Sequence, residues 1–416
     1  MSHSQPQSSP GPAHVLIACS DFRIGGHSTH TLNFGRALRR RGCRVGAIVP
    51  EPFGELYGDF AESLDYVCVL RRGLESRSRY IRRLVQRIAA LSPDVIINNM
   101  VPPVQAAMPF LPPQLRRVSV VHNVTEYEVA LGLANGAWLD WVVSVSNNIG
   151  AYVERENRDG VPMATIPVGI EPPAAGRKQA EARTPLRLIY VGRLEPQKNL
   201  AGLMRVLTRL HEAATPFSMS IVGGGAELNS LRSQAAACAF GGQIQFLGVQ
   251  PQRQVARLLD EHDFLVMTSH YEGTPHVVLE AMAHGLVVLA SRLPGATDMI
   301  INDKVDGFLC DRNKPEEYVS ILRDFVAQPA EFGPVSQAAR QTAMTRYGSD
   351  TFAAQYESLF ERANGKRPAP LANAPKVEVL PELRPHFPGL LLQGKHRAAD
   401  LWRRIARGTR PMGASY

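Results

Sequence analysis

Glu272 and Glu280 stand eight positions apart in EGTPHVVLEAMAHG, with Pro275 between them and Gly285 at the end. Proline suits the first turn of a helix and glycine its close, so the stretch predicts a helix of roughly ten residues, directly after the apolar run HDFLVMTS. The amino end of such a helix attracts anions through its free amides and its dipole. A carboxylate next to an anion is better employed accepting hydrogen bonds from hydroxyls. Two of them suggest a ligand with hydroxyls on both sides of a phosphate. Gly273, Thr274 and His276, at the same helix start, belong to the same candidate site.

Upstream, RLEPQKN places Arg193 and Lys198 just after LRLIYVG. Arginine engages phosphate oxygens through its planar fork and lysine adds a mobile point charge, so the pair suits a diphosphate. GGGAEL, opening at Gly223, permits close approach of backbone to a ligand or simply makes a tight turn. Ribose, diphosphate and sugar have the layout these groups require. Taken singly, each has a plainer reading: a solvated helix start for the cations, an exposed helix residue for Glu280, a capping or loop carboxylate for Glu272.

These residues must be held by a scaffold, and the apolar runs describe one. AHVLIACS, RVGAIVP, SPDVIINN, RRVSVVHN and WVVSVS alternate with helical patterns, and a second series follows with LRLIYVG, FSMSIVGGG, QIQFLG, HDFLVMTS, LVVLAS and DGFL. That alternation predicts an α/β protein with a doubly wound sheet made twice. Such sheets bind ligands beyond the carboxyl ends of their strands, where the residues above fall. We divide the chain into an amino-terminal stretch 1–13, a first domain 14–166, a linker 167–184 rich in Pro, Gly and Ala, a second domain 185–347, a closing helix 348–363 and a basic tail 364–416. GxGxxG and GxxxxGK[ST] are both missing, so neither a dinucleotide fingerprint nor a P-loop supports itself here.

YVGRLEPQKNL, IVGGGAEL, QFLG and EGTPHVVLEAMAHGLVVLASRLPGATDMI, in that order across residues 189–309, resemble the carboxyl-terminal domain of retaining GT-B glycosyltransferases of family four, the glycogen-synthase-like group. The resemblance implies two Rossmann-like domains facing each other across a cleft. It implies transfer of a hexose from a UDP- or GDP-sugar to a saccharide or lipid-linked acceptor, with no further cofactor and no metal. By the same resemblance Glu280 would hold ribose hydroxyls, Glu272 a hydroxyl of the transferred sugar, and Arg193 and Lys198 the departing diphosphate. Gly25 and Gly26 would form the glycine loop beside the diphosphate, His122 would lie near the point of attack, and the stretch around Gly248 would line the base. The helix TFAAQYESLFERA would brace the first domain. The chain departs from the family pattern at Pro294–Gly295 and Asp298, where Gly-Gly before Glu is common. A phosphorylase or epimerase of the same fold, or a non-catalytic sugar-nucleotide-binding protein, would carry many of the same residues.

Composition narrows the partners. The chain of 416 residues carries a net charge of +8. Residues 1–170 hold 17 Arg and no Lys against 14 carboxylates, and residues 365–416 hold 10 basic against 3 acidic residues. In RRGLESRSRYIRRLVQRI seven arginines surround a helical face of Ile81, Leu84, Val85 and Ile88, and in HRAADLWRRIARG the apolar face is Ala398, Leu401, Trp402 and Ile405. Either pattern fits a solvated helix or a helix against anionic lipid. No nucleic-acid module accompanies the charge, so nucleic acid is not expected as a partner. The five cysteines lack CxxC spacing and suit reduced core thiols. Without a secretory leader pattern or a membrane-length apolar run, we expect a cytoplasmic enzyme, peripheral at the inner face of the plasma membrane when its acceptor is lipid-linked.

Overall fold

Short apolar runs separated by amphipathic segments become parallel strands in two separate sheets. The computed structural model describes residues 13–23, 26–173 and 185–362. The first sheet has seven strands: β1 (His14–Ala18), β2 (Arg44–Val49), β3 (Tyr66–Val69), β4 (Val95–Asn99), β5 (Arg116–Val121), β6 (Trp141–Ser144) and β7 (Met163–Thr165), in the order β3-β2-β1-β4-β5-β6-β7. The second has six: β8 (Leu186–Val191), β9 (Phe217–Val222), β10 (Ile244–Gly248), β11 (Phe264–Met267), β12 (Val287–Ser291) and β13 (Phe308–Cys310), in the order β10-β9-β8-β11-β12-β13. The winding is the same in both, out from a central strand and then back past it. The α/β double winding expected from the sequence is the fold.

Central strands β1, β4 and β12 are buried along their whole length, which is why they are continuous apolar runs and not alternating ones. β3 and β7 escape that signal because they are short edge strands and half-buried. Each sheet reverses its strand order once, between β1 and β4 and between β8 and β11, and a crevice opens there at the carboxyl ends.

The two lobes are tied together through the residues around Ile170 and through the helix that follows Gly348. Ile170 bridges Gly348, with Ile170 N–H donating to the Tyr347 carbonyl at 2.8 Å and Ser349 N–H donating to the Ile170 carbonyl at 2.9 Å. The helix Ser349–Glu361 lies on the helix Gly26–Arg40 of the first lobe, through Phe34 against Phe352 at 4.8 Å and Phe34 against Tyr356 at 4.5 Å between ring centres. Arg40 reaches Glu171 at 3.0 Å and Arg41 reaches Glu357 at 2.6 Å, closing the rim of that contact. The five cysteines are free thiols. Residues 174–184 of the linker, and the tail with Ala398, Leu401, Trp402 and Ile405, lie outside the described residues.

Candidate active site

The loop after β8 is built so that its charges project from a fixed base. Gly223, at φ +136°, lies where a Cβ would stand 1.9 Å from the Gly192 carbonyl oxygen. This glycine therefore allows two strand-end loops to touch, which accounts for it without a ligand. Leu194 N–H donates to the Gly224 carbonyl at 2.9 Å, and Tyr190 donates its hydroxyl to the Arg193 carbonyl at 2.8 Å. Asn199, in the left-handed region, accepts from Gly202 N–H to cap the helix Leu200–Glu212 and donates to the Thr268 carbonyl at 2.9 Å. Lys198 is thus pinned to the end of β11. The Arg193 guanidinium is exposed, with Gln197 Oε1 at 3.3 Å.

Across the β8/β11 crevice, Lys198 Nζ donates to both oxygens of Glu272, at 2.6 and 2.9 Å. Ser269 donates to the same carboxylate at 2.6 Å. The Glu272 side chain is 6% exposed and that of Lys198 17%, so the pair is largely out of water. The helix that follows is His276–Ala283, shorter than the expected ten residues, with Pro275 immediately before it and Gly285 at φ +71° just beyond. Glu280 lies one turn inside, its carbonyl accepting from His284 N–H at 3.0 Å while its carboxylate has no hydrogen-bond partner among the described residues. Burial pushes its carboxyl up to about 7. It lines a cavity of about 490 Å³ between the lobes, together with Arg36, Asp59, Glu171, Arg253 and His284. Gly248, at φ +67° with open space at its Cβ position, ends β10 and bonds the Gly223 N–H at 2.8 Å.

The first lobe presents a different face. Gly25 lies outside the described residues, and Gly26 is the first residue of its helix. His122, after β5, is 8% exposed and faces Asn99 Oδ1 at 3.2 Å through Nε2. Asn99 donates in turn to Thr31 at 2.9 Å, and Thr31 to the His27 carbonyl at 2.9 Å. The chain of donors assigns the proton to Nε2 of His122 and leaves Nδ1 with its lone pair. Around it stand His27 at 4.5 Å and His30 at 5.2 Å between ring centres, with His276 of the second lobe 6.1 Å from His30. Burial, reinforced by the neighbouring rings, holds His30 and His122 well below the usual histidine value, and burial lowers His276 to about 4. These rings are neutral at pH 7.

Contacts between the lobes complete the cleft. A Cβ at Gly273 would stand 3.0 Å from the His122 carbonyl oxygen, and Thr274 Oγ1 lies 3.5 Å from the Val145 carbonyl. Gly295, at φ +76°, packs beside Asn148 in the same way. The structure therefore brings His122, Gly273, Thr274 and His276 together, and separately Lys198 with Glu272. Among the described residues no cluster of metal-ligating side chains is present.

Three groups escaped the sequence reading. His27 and His30 sit three apart after the glycine pair, a spacing that puts both on one helix face. Their identity as helix residues after a glycine loop was the available signal. Glu128, on the helix Glu126–Leu133 beyond the His122 loop, has a buried Oε2 without a partner and a carboxyl pushed up to about 7 by burial. Nothing in its local sequence marks it.

Comparison with known proteins follows the same division. A family model described as Glycosyltransferase Family 4 matches residues 24–172, and one described as Glycosyl transferases group 1 matches residues 174–343. The amylovoran biosynthesis glycosyltransferase AmsK of Erwinia amylovora is 29% identical over 202 residues, 47% of this chain and 49% of that protein. Glycogen synthase of Mycobacterium tuberculosis is 27% identical over 221 residues, 53% of this chain and 51% of that one. The chain spans about half the length of the curated relatives it matches. Among solved structures, Anabaena HepE in complex with UDP-glucose superposes with a TM-score of 0.70 at 16% identity, over 83% of this chain and 99% of that one, which shows a shared fold.

Proposed function

Because the chain belongs to the glycosyltransferases that the family 4 and group 1 models together describe, we propose that it moves a hexose from a UDP- or GDP-sugar to a hydroxyl of a saccharide or lipid-linked acceptor, with retention and without a metal, in surface-polysaccharide synthesis. The observation that carries this reading is the Lys198–Glu272 pair at the β8/β11 crevice, with Arg193 on the same strand-end loop as Lys198 and Glu280 on the helix that follows Glu272. The roles follow from charge. As the bond from the anomeric carbon to the diphosphate breaks, negative charge grows on the leaving oxygens, and Arg193 and Lys198 are the groups placed to stabilise it. Lys198 is held by Glu272, so a diphosphate must share that ammonium with the carboxylate. Glu272 is then available to a sugar hydroxyl and Glu280 to the ribose.

The neutral His122 supports an uncharged role. Its Nδ1 lone pair accepts from a hydroxyl of the sugar or acceptor, and burial keeps the ring from competing with Lys198 for phosphate. The acceptor proton leaves with the nucleoside diphosphate. The test is a panel of UDP- and GDP-sugars with and without EDTA, reading nucleoside diphosphate release in the presence and absence of a saccharide acceptor. Acceptor-dependent release that survives EDTA, with an α-linked product from an α-linked donor, is the expected result. Donor consumed without any acceptor favours a phosphorylase or epimerase of the same fold, and binding without consumption favours a sugar-nucleotide-binding protein.

A further inference from the structure

Two segments that follow strands at the carboxyl edge of the first sheet carry large apolar side chains into solvent. Leu74, after β3, is 110% exposed, and Phe53 and Tyr57, after β2, are 53% and 50% exposed. They form one tip. Arg71 stacks over the Phe53 ring at 5.5 Å, the Tyr57 ring lies 5.2 Å from that of Phe22, and Phe22 N–H donates to the Phe53 carbonyl at 2.8 Å. The rest of the tip is arginine. Arg72 lies close enough to Arg77 to help burial lower its affinity for the proton, and Arg71, Arg72, Arg77, Arg79 and Arg82 have no ion-pair partner among the described residues. Of the acidic groups nearby, Glu75 is bound by Arg83, while Glu51 and Glu55 lie within electrostatic reach of Arg23.

The helix Arg77–Leu91 holds this arrangement rigid. Ser76 caps it, and Tyr80, Ile81, Leu84 and Ile88 are buried, while Val85 is half-buried. The arginines cannot turn inward without exposing that face. Like charges crowded around unpartnered apolar side chains are self-repelling in water, and the arrangement is relieved where anionic groups overlie an apolar phase. An acidic protein would need a pocket shaped to Leu74, whereas a bilayer accepts an isolated protruding leucine without one.

The geometry points to this tip, Phe53, Tyr57 and Leu74 with Arg71, Arg72, Arg77 and Arg79, as a docking surface for an anionic lipid bilayer. It lies on the strand-end edge that also carries His27, at the start of the helix Gly26–Arg40, so a docked protein turns the cleft mouth towards the membrane. Docking is independent of the transfer chemistry and stands or falls without it.

The test uses the full chain and sedimentation with vesicles, one set of phosphatidylcholine and one with roughly one-third phosphatidylglycerol. The wild type is expected to sediment with the anionic vesicles only, and less at high salt. Leu74→Asp, and separately Arg72→Glu with Arg79→Glu, are expected to lower vesicle affinity by roughly tenfold or more. Both changes are on the surface, so thermal midpoints and nucleoside diphosphate release with a water-soluble acceptor stay at wild-type values. A wild type that remains in the supernatant overturns the proposal. So do variants that sediment as the wild type does, which would transfer any binding to another part of the chain, or equal binding to both vesicle types.

Discussion

The two crevices share one strand order and differ in what they offer a ligand. At the β8/β11 crevice the groups are charged: Arg193, Lys198 and Glu272, with Glu280 one helical turn away. Facing the β1/β4 crevice they are neutral rings and amides: His27, His30, His122 and Asn99. Topology thus places strand-end loops without choosing their chemistry, and in the proposed reaction the same winding would serve a charge-stabilising side and an orienting side. Under that proposal the division is economical, because cations on both sides of a diphosphate would hold it after the bond has broken.

The largest expected effect comes from removing charge on the second lobe. Lys198→Ala should lower turnover by roughly 10²–10³, the scale for a donor aimed at developing charge. It also leaves the Glu272 carboxylate without its ammonium at 6% exposure. Unfolding in denaturant should therefore show a loss of about 3 kcal/mol. Gly223→Ala breaks the base on which that charge stands, since its Cβ would overlap the Gly192 carbonyl. A loss of about 2–4 kcal/mol is expected in the same measurement, with Arg193 chemically intact.

A smaller effect sharpens the comparison through pH. Burial raises Glu280 to about 7, so it becomes charged as pH rises through that value. Ribose hydroxyls bond more strongly to the carboxylate, so donor affinity should increase between pH 6 and 8. Glu280→Gln should weaken donor binding by about 1–2 kcal/mol and flatten that dependence, read by calorimetry.

The smallest concerns the neutral side. His30 is 1% exposed, both ring nitrogens lack partners, and its folded value is depressed. Below pH 6.5 the unfolded chain binds the proton and the folded chain does not, so stability falls as pH falls. Each histidine that stays neutral when folded contributes a loss of about 1 kcal/mol between pH 6.5 and 5.5. Glu128 and Glu280, raised to about 7, act in the opposite direction over the same range. His30→Leu should therefore give a shallower acid decline than the wild type in a series of unfolding curves, with the two carboxyls contributing equally to both.

The placement of the charged side chains is the easier half to read in a sequence. Arg193, Lys198, Glu272 and Glu280 lie in two short stretches attached to strong apolar strands, where residue type and local spacing already limit their direction. The pairing of Lys198 with Glu272 was not legible, because 74 residues separate them and only the adjacency of β8 and β11 brings them together. The histidine cluster was hidden for a related reason. His27 and His30 come from one helix, His122 from a strand end and His276 from the other lobe, and each is unremarkable in its own segment. Edge strands β3 and β7 were lost to partial burial, which dilutes the apolar pattern.

The division of labour between the two sides is tested most directly by measuring donor dissociation constant and turnover separately for Arg193→Ala. If Arg193 acts on charge that develops as the diphosphate departs, kcat falls by about 10²-fold while donor affinity changes by less than about tenfold. Affinity falling by that larger factor with kcat unchanged would make Arg193 a ground-state binding group, and neither value changing would remove the second lobe's cations from the chemistry.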